Sequence, residues 1–574
     1  EMEDLDSSDI CLPITDINLV LSWKCDNTCW IHKHDVVTLK NRSGYLNTGS
    51  VLDVRRKEDL YSEYKFSSSL LPRTIFCHDF KGGYLEDRFC TGSSNIDTYR
   101  FFNWAAIDLF IYFSHKLVTI PPQGWLNAGH IHGVPVLGTL ITEWDEGETI
   151  WRSILTDIEK VNLFSQKLAQ ICAHYKFDGY LLNVENVIPK DYVPRLLQFV
   201  ELLKAHLNLY CARQTWLIWY DSVTIDGSLE WQNKLCPLNK PFFDVCDGIF
   251  LNYVWKPADL QESLREAGTR RHDVFVGVDV WGRNCYQDGG FNVDKALTVL
   301  RTLNMSVAIF APAWTFETLP DGEEFLTRET SFWRRLSSYL HLHGPAHLPF
   351  FTNFCQGISF NKTTGLPLFN LGMQQSQPTL LGCSTDLTAA DSCVSLYLQD
   401  GLEYNGACLK ISACHAMHSA LFHRVFVCDF SSSEDMVSTL LITLAVKSME
   451  SDPASTFRMY FVLEDRISIQ GNQSVSMKKR PKGYRASKNF GNLMVNGSLV
   501  DFTAEKQTLQ TKIKVFPDEI GVVSSSSWCH IKFLVELNPG AVLTEILLLP
   551  ASKGSVLWGQ LSVERSTISV NQQA

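Results

Sequence analysis

From Thr74 onward the chain alternates between short runs of β-branched and aromatic residues and longer stretches with apolar residues at i, i+3, i+4 spacing. The runs are Thr74–Phe80, Ile107–His115, Val134–Thr142, Asp178–Asn186, Thr215–Ser222, Gly248–Trp255, Val274–Gly282 and Val307–Trp314. Helical segments such as Ile154–Tyr175 and Tyr192–Leu209 lie between them. Eight strand–helix repeats over roughly 250 residues predict an α/β fold, a (β/α)8 TIM barrel. A doubly wound open sheet competes with it, but no Gly-rich phosphate turn follows the first run.

A barrel places its chemistry where strands run out into the following loops. Those ends carry His78, Asp79, His115, Glu143, Trp144, Asn183, Glu185, Tyr220, Asp221, Asn252, Tyr253, Trp255, Asp279, Trp281 and Trp314. Carboxyl, amide and aromatic groups dominate, and Lys and Arg are scarce. Such a rim suits a neutral polyhydroxy ligand, whose apolar sugar faces stack on rings while hydroxyls bond to amides and carboxylates. Within Phe177-Asp178-Gly179-Tyr180-Leu181-Leu182-Asn183-Val184-Glu185-Asn186, strand alternation puts Asn183 and Glu185 on one face and Tyr180, Leu182 and Val184 on the other. The pair reads either as a chemical pair or as a cap for the next helix.

Around the barrel, residues 1–70 read as an irregular lead-in with a few short strands, 71–345 as the barrel, and 346–574 as a β-sandwich region of one or two modules. Carbohydrate binding and bracing are the two readings of the sandwich. The formal net charge of -11 argues against affinity for nucleic acid or anionic membrane. No apolar run is long enough to cross a bilayer, and the 17 cysteines, odd in number and spread along the whole chain without dense, regular spacing, point to a reducing compartment. Cys25-x3-Cys29 with His32 and His34 holds the donors a structural zinc needs, but the spacing is not a standard zinc pattern. It reads as an ordinary Cys/His group, and neither metal nor cofactor is expected. Oligomeric state is not legible.

Several stretches in order carry a resemblance: Cys77-His78-Asp79-Phe80-Lys81-Gly82-Gly83-Tyr84, Gly138-Thr139-Leu140-Ile141-Thr142-Glu143-Trp144, the Phe177–Asn186 stretch, Trp219-Tyr220-Asp221-Ser222 and Phe310-Ala311-Pro312-Ala313-Trp314. Over residues 74–355 the chain resembles the endo-β-N-acetylglucosaminidases of glycoside hydrolase family 85. That resemblance implies hydrolysis of the β-1,4 bond between the two core N-acetylglucosamines of N-linked glycans, on free oligosaccharides or glycoproteins in the cytosol. It also implies that the substrate's own acetamide attacks the anomeric carbon to give an oxazoline. Glu185 matches the acid/base, Asn183 the residue that holds the acetamide, and Tyr220 a hydrogen-bonding tyrosine of the same subsite. Trp231, Trp255, Trp144 and Trp314 look like rings along the glycan path, and Asn252, His78 and Asp279 join them as substrate-binding candidates. Position 180 departs from the family, with Tyr in place of Trp. A two-carboxylate glycosidase using Glu185 and Asp279, and a non-catalytic N-glycan-binding protein on a TIM barrel, are the alternatives.

Overall fold

The computed structural model describes residues 9–25, 29–47, 54–56, 65–67, 71–360, 365–379, 394–397, 407–412, 421–431, 437–448, 456–465, 488–494, 513–515, 528–537, 539–550 and 555–566. All eight predicted runs form strands: β1 Thr74–His78, β2 Leu109–Tyr112, β3 Val136–Glu143, β4 Gly179–Glu185, β5 Trp216–Tyr220, β6 Gly248–Leu251, β7 Val274–Asp279 and β8 Ser306–Phe310. Each pairs in parallel with the next, and β8 pairs with β1, so the barrel is closed. A two-residue strand, Val118–Thr119, adds antiparallel to β3. One repeat lacks its α-helix: β1 and β2 are joined through the 3-10 turns Glu86–Arg88 and Trp104–Ala106.

The strands are buried on both faces, which is why they read as near-continuous apolar runs. Inward-facing Ile75, Cys77, Leu109, Ile111, Leu137, Leu181, Ile218, Phe250, Phe275 and Ala308 make one core. Outward-facing residues make a second with the helices. Helix Ile158–Tyr175 is typical: Asp157 caps it by accepting the Glu159 N–H, and Val161, Phe164, Leu168, Ala169 and Cys172 face the sheet. Tyr180 faces the same layer and is fully buried. Its hydroxyl donates to the Leu168 carbonyl at 2.8 Å, so the polar end of the ring is satisfied.

At the amino-terminal face of the barrel, an aspartate precedes three of the strands. Asp108, Asp178 and Asp247 each donate their own N–H to a residue at the start of the neighbouring strand, Thr74 and Val136, which open β1 and β3, and Leu217, the second residue of β5. Each carboxylate in turn accepts that residue's N–H, at 2.8 Å in every case. The Asp178 carboxylate also takes His130 Nε2 at 2.7 Å and the Arg213 guanidinium. Burial pushes its pKa up, but the charge and hydrogen bond of His130, the Arg213 charge and the Val136 N–H outweigh it and hold the carboxyl below its ordinary value.

C-terminal to the barrel, Ile358–Phe360 and Pro367–Phe369 pair as a separate hairpin, and the other described strands form one sandwich. Strands 394–397, 408–412, 438–448, 513–515, 529–537 and 555–566, with Phe350–Thr352, make one antiparallel sheet; 421–431, 456–465, 488–494 and 541–550 make the other. Leu409, Leu440, Ile442, Val535 and Trp558 of the first meet Val425, Phe426, Leu543 and Ile546 of the second in a single core. The lead-in is partly built into this body, since Val54–Arg56 pairs with Leu421–His423. Its other described strands, Tyr45–Asn47 and Lys65–Ser67, pair with each other.

Gly179, which opens β4, has φ +124, and a Cβ there would lie 1.9 Å from the Trp216 carbonyl oxygen. Gly179→Ala is therefore expected to destabilise the chain by more than about 4 kcal/mol, an exceptional single-residue loss. Urea unfolding checks it; wild-type stability would mean that β4 and β5 do not approach so closely there.

Candidate active site

Alternation decides which side chains meet at the carboxyl ends of the strands. Continuing the inward parity of each strand brings Asp79, Phe113, Glu143, Asn183, Glu185, Tyr220, Asn252, Asp279 and Phe310 over the barrel interior. Glu185 is the last residue of β4. Asn183 Nδ2 donates to Glu185 Oε2 at 3.0 Å, and the Trp231 indole N–H donates to Oε1 at 3.1 Å. Burial pushes the Glu185 carboxyl above its ordinary value; the N–H donors of Asn183 and Trp231 pull it back, Glu143 pushes it further up and His115 lowers it. Glu143 is the register partner of Glu185 on β3. It lies 3.2 Å from His115 Nδ1, and that hydrogen bond raises the His115 pKa.

On the next two strands, the Tyr220 hydroxyl donates to Asn252 Oδ1 at 2.8 Å. Asn252 Nδ2 passes a hydrogen bond to Asn233 Oδ1 at 2.8 Å. Burial pushes the Tyr220 phenol well above its ordinary value, and the nearby Glu185 charge adds to this. Below them sits Asp221, whose carboxylate accepts the Asn239 side-chain amide and the backbone N–H groups of Gln232, Asn233 and Asn252. Burial outweighs these donors and pushes its pKa up to about 6. Asp221 thus fixes the loop that carries Trp231 and the end of the strand that carries Asn252. Asn233, with φ +58, and Arg283 were outside the predicted set. The available signals were their places in the loops after β5 and β7.

The remaining predicted residues divide. Asp279 faces the interior but is 1% exposed. Its carboxylate is held by Arg283 Nε at 2.8 Å and by the Trp281 N–H at 3.1 Å. Trp144, the first residue of helix Trp144–Leu155 after β3, is 62% exposed with φ +49, and Trp231 is half-buried. Trp281, a strand-end ring, is also exposed. Trp255 is buried, with its indole N–H on the Gly277 carbonyl at 2.8 Å and its ring stacked on Tyr286. Trp314 is half-buried under the Arg328 guanidinium, 4.6 Å from the ring centroid. His78 has outward parity and is enclosed by Trp125, Tyr99, Tyr112 and Phe110. Burial lowers its pKa to about 3 and its Nδ1 has no hydrogen-bond partner. The structure does not bring His78 to the site, because strand parity turns it into the helix layer. Among the described residues, the one Cys/His group with metal-ligand geometry lies where the lead-in meets helix Ile158–Tyr175, away from these strand ends.

Residues 84–361 match the model of glycosyl hydrolase family 85. Cytosolic endo-beta-N-acetylglucosaminidase 1 of Arabidopsis thaliana is 42% identical over 317 residues, covering 54% of this chain and 46% of its own length. The Homo sapiens cytosolic endo-beta-N-acetylglucosaminidase is 43% identical over 319 residues, covering 54% and 42%. The Danio rerio protein of that name is 37% identical over 412 residues, covering 68% and 56%. The chain therefore spans about half the length of the curated relatives it matches. Among solved structures, the glycoside hydrolase domain of Endo-D from Streptococcus pneumoniae superimposes with a TM-score of 0.59 at 16% identity, covering 96% of this chain and 83% of that one. That likeness concerns the fold. The family match runs from the loop after β1 past β8, so the likeness to glycosyl hydrolase family 85 lies in the barrel of this chain.

Proposed function

We propose that the chain is an endo-β-N-acetylglucosaminidase that cleaves the core chitobiose of N-linked glycans, on free oligosaccharides or glycoproteins in the cytosol, through an oxazoline. The observation that carries this reading is the Asn183–Glu185 pair, an amide bonded at 3.0 Å to a carboxyl whose pKa burial raises. A raised carboxyl keeps its proton nearer neutral pH and can deliver it to the leaving glycosidic oxygen; as carboxylate it then activates water. One N–H of Asn183 goes to Glu185, which leaves Oδ1 to accept the acetamide N–H and turn the acetamide oxygen toward the anomeric carbon. The substrate supplies the nucleophile, so a second attacking carboxylate is not required. Asp279 is a poor candidate for that role, being buried against Arg283.

The relatives' names support the bond that is cut and the cytosolic setting. The mouth supports the ligand class, with Trp144 and Trp231 offering rings and Tyr220 and Asn252 offering hydroxyl and amide groups. On a defined high-mannose glycopeptide, Glu185→Gln is expected to lose at least about 10³-fold in kcat. Asn183→Ala is expected to lose about 10²-fold or more, as for removal of one group that stabilises developing charge. The wild type should also transfer glycan from a synthetic sugar oxazoline. Mass analysis of the products reads all three. A mild Asn183→Ala effect with no oxazoline turnover would establish two-carboxylate chemistry instead, and no release by the wild type would leave a glycan-binding barrel.

Because the Trp231 N–H stabilises the ionised form of Glu185, Trp231→Phe should raise the Glu185 pKa and move the alkaline limb of kcat/KM to higher pH. A limb that stays put or moves down contradicts the assignment of Glu185 as the acid. Trp144→Ala is expected to raise KM by about tenfold, the worth of one ring against a sugar face at roughly 1 to 1.5 kcal/mol. Kinetics on the same glycopeptide test this.

A further inference from the structure

The Cys/His group of the lead-in is completed by a residue that linear spacing could not supply. The 3-10 turn Trp30–His32 and the residues around it lie against the last turn of helix Ile158–Tyr175, with Trp30 packed on Tyr175. His174, in that turn, meets all three partners. One ligand atom each from Cys25, His32 and His174 lie within 4.8 Å of one another. Cys25 Sγ is 3.4 Å from His174 Nδ1, and Cys29 Sγ is 3.3 Å from the other ring nitrogen, Nε2. His34 turns away to Asp9 Oδ1 at 2.9 Å.

The spacing of Cys25, His32 and His174 suits a bound ion. Zinc bonds of about 2.3 Å to sulfur and about 2.1 Å to nitrogen in tetrahedral geometry put adjacent S and N donors about 3.6 Å apart. Two thiols and two imidazoles are the donor set whose softness selects zinc over calcium or magnesium. Both cysteines are thiols outside any disulfide. The Trp23 and Tyr175 rings flank His174 at 5.4 and 4.8 Å and limit its orientation. Cys25 and His32 are exposed, which leaves an ion a route from solvent.

We propose that Cys25, His32 and His174, with Cys29 as fourth ligand, form a structural zinc site. Cys29 now faces the opposite nitrogen of the His174 ring, so joining the same ion takes a side-chain rotation. The ion would tie the lead-in to the helix that runs, through Lys176, Phe177 and Asp178, into the strand bearing Asn183 and Glu185. Its role would be to hold that corner, with the reacting groups left to the barrel mouth.

The test uses the full chain, with metal content read by elemental analysis after equilibration with zinc sulfate and removal of loose ion. About one equivalent is expected, falling at least tenfold in Cys25→Ser and His174→Ala and unchanged in His34→Gln. Removal with a chelator should lower the melting temperature, and zinc should restore it. Cobalt(II) should give a thiolate-to-metal charge-transfer band in the wild type that weakens in Cys29→Ser; this arm does not depend on the Cys25 and His174 variants folding. Absence of retained zinc and of that band, zinc content indifferent to Cys25→Ser and His174→Ala, or a band unchanged in Cys29→Ser would overturn the four-ligand site. None of these readouts uses glycan cleavage, so failure here is separate from failure of the proposed activity.

Discussion

Everything at the mouth of this barrel depends on the register of its strands, and register is held at the other end. In a strand a one-residue slip exchanges the two faces, so it would carry Glu185 out to the helices and bring Val184 in. Asp108, Asp178 and Asp247 guard against such a slip by pairing both backbone and carboxylate with a residue at the start of the adjacent strand. Each is a charge-assisted hydrogen bond, buried for Asp108 and Asp178 and part-buried for Asp247, of the kind worth about 1.5 to 3 kcal/mol. The Asp178 pair bears directly on the candidate site. It sets β3 against β4, and that register places Glu143 beside Glu185.

The same placement sets an electrostatic problem. Asp79, Glu143, Glu185 and Asp279 all reach the mouth, where the Glu143 charge adds to the rise of the Glu185 pKa and the Asp279 charge to that of Asp79. Two of them have cationic neighbours: Glu143 has His115, and Asp279 has Arg283. Arg283 and His115 also lower the pKa of Asp79, which burial raises. Glu185 has no cationic hydrogen-bond donor of its own. Its oxygens meet only the neutral N–H groups of Asn183 and Trp231. Neutral donors lower the Glu185 pKa without pairing the carboxyl with a cation, and this separates it from Glu143 and Asp279, which are paired with His115 and Arg283.

How much of this was legible in the sequence follows from which physical rules are local. Strand periodicity is local, and all eight runs were placed by it. Parity is local too, and it placed Asn183, Glu185 and Tyr180. Applied to the first strand, it would have put Asp79 over the mouth and His78 among Trp125, Tyr99 and Tyr112. Which tryptophans stay available is not local. Trp255 and Trp144 both follow a strand end, yet Trp255 is committed to the Gly277 carbonyl and Tyr286, residues of the next strand and its loop. Asn233 and Arg283 escaped for the same reason, since their roles arise from loops folding back over strand ends. His174 was invisible beside Cys25 because about 150 residues of chain separate them, a distance only tertiary packing closes.

The sandwich was open to two readings, glycan binding and bracing, and its junction with the barrel bears on them. His343 donates its backbone N–H to the Ala105 carbonyl and sits 3.3 Å from the Asp108 carboxylate, at the amino-terminal end of β2. Arg42 from the lead-in donates to the Ile107 carbonyl at 2.7 Å beside it. Gly344 packs so tightly on Val427 that a Cβ would lie 1.6 Å from its carbonyl oxygen, and the Asp429 N–H bonds to the Pro345 carbonyl. The sandwich is therefore bolted, through residues 343–345, to the face where the aspartates set register, opposite the mouth. Close packing at that face resists the opening of β1 from β2 that would release Asp108. A contact there can act on Glu185 only through the barrel's geometry, which favours the brace over a second glycan-reading surface acting at the mouth.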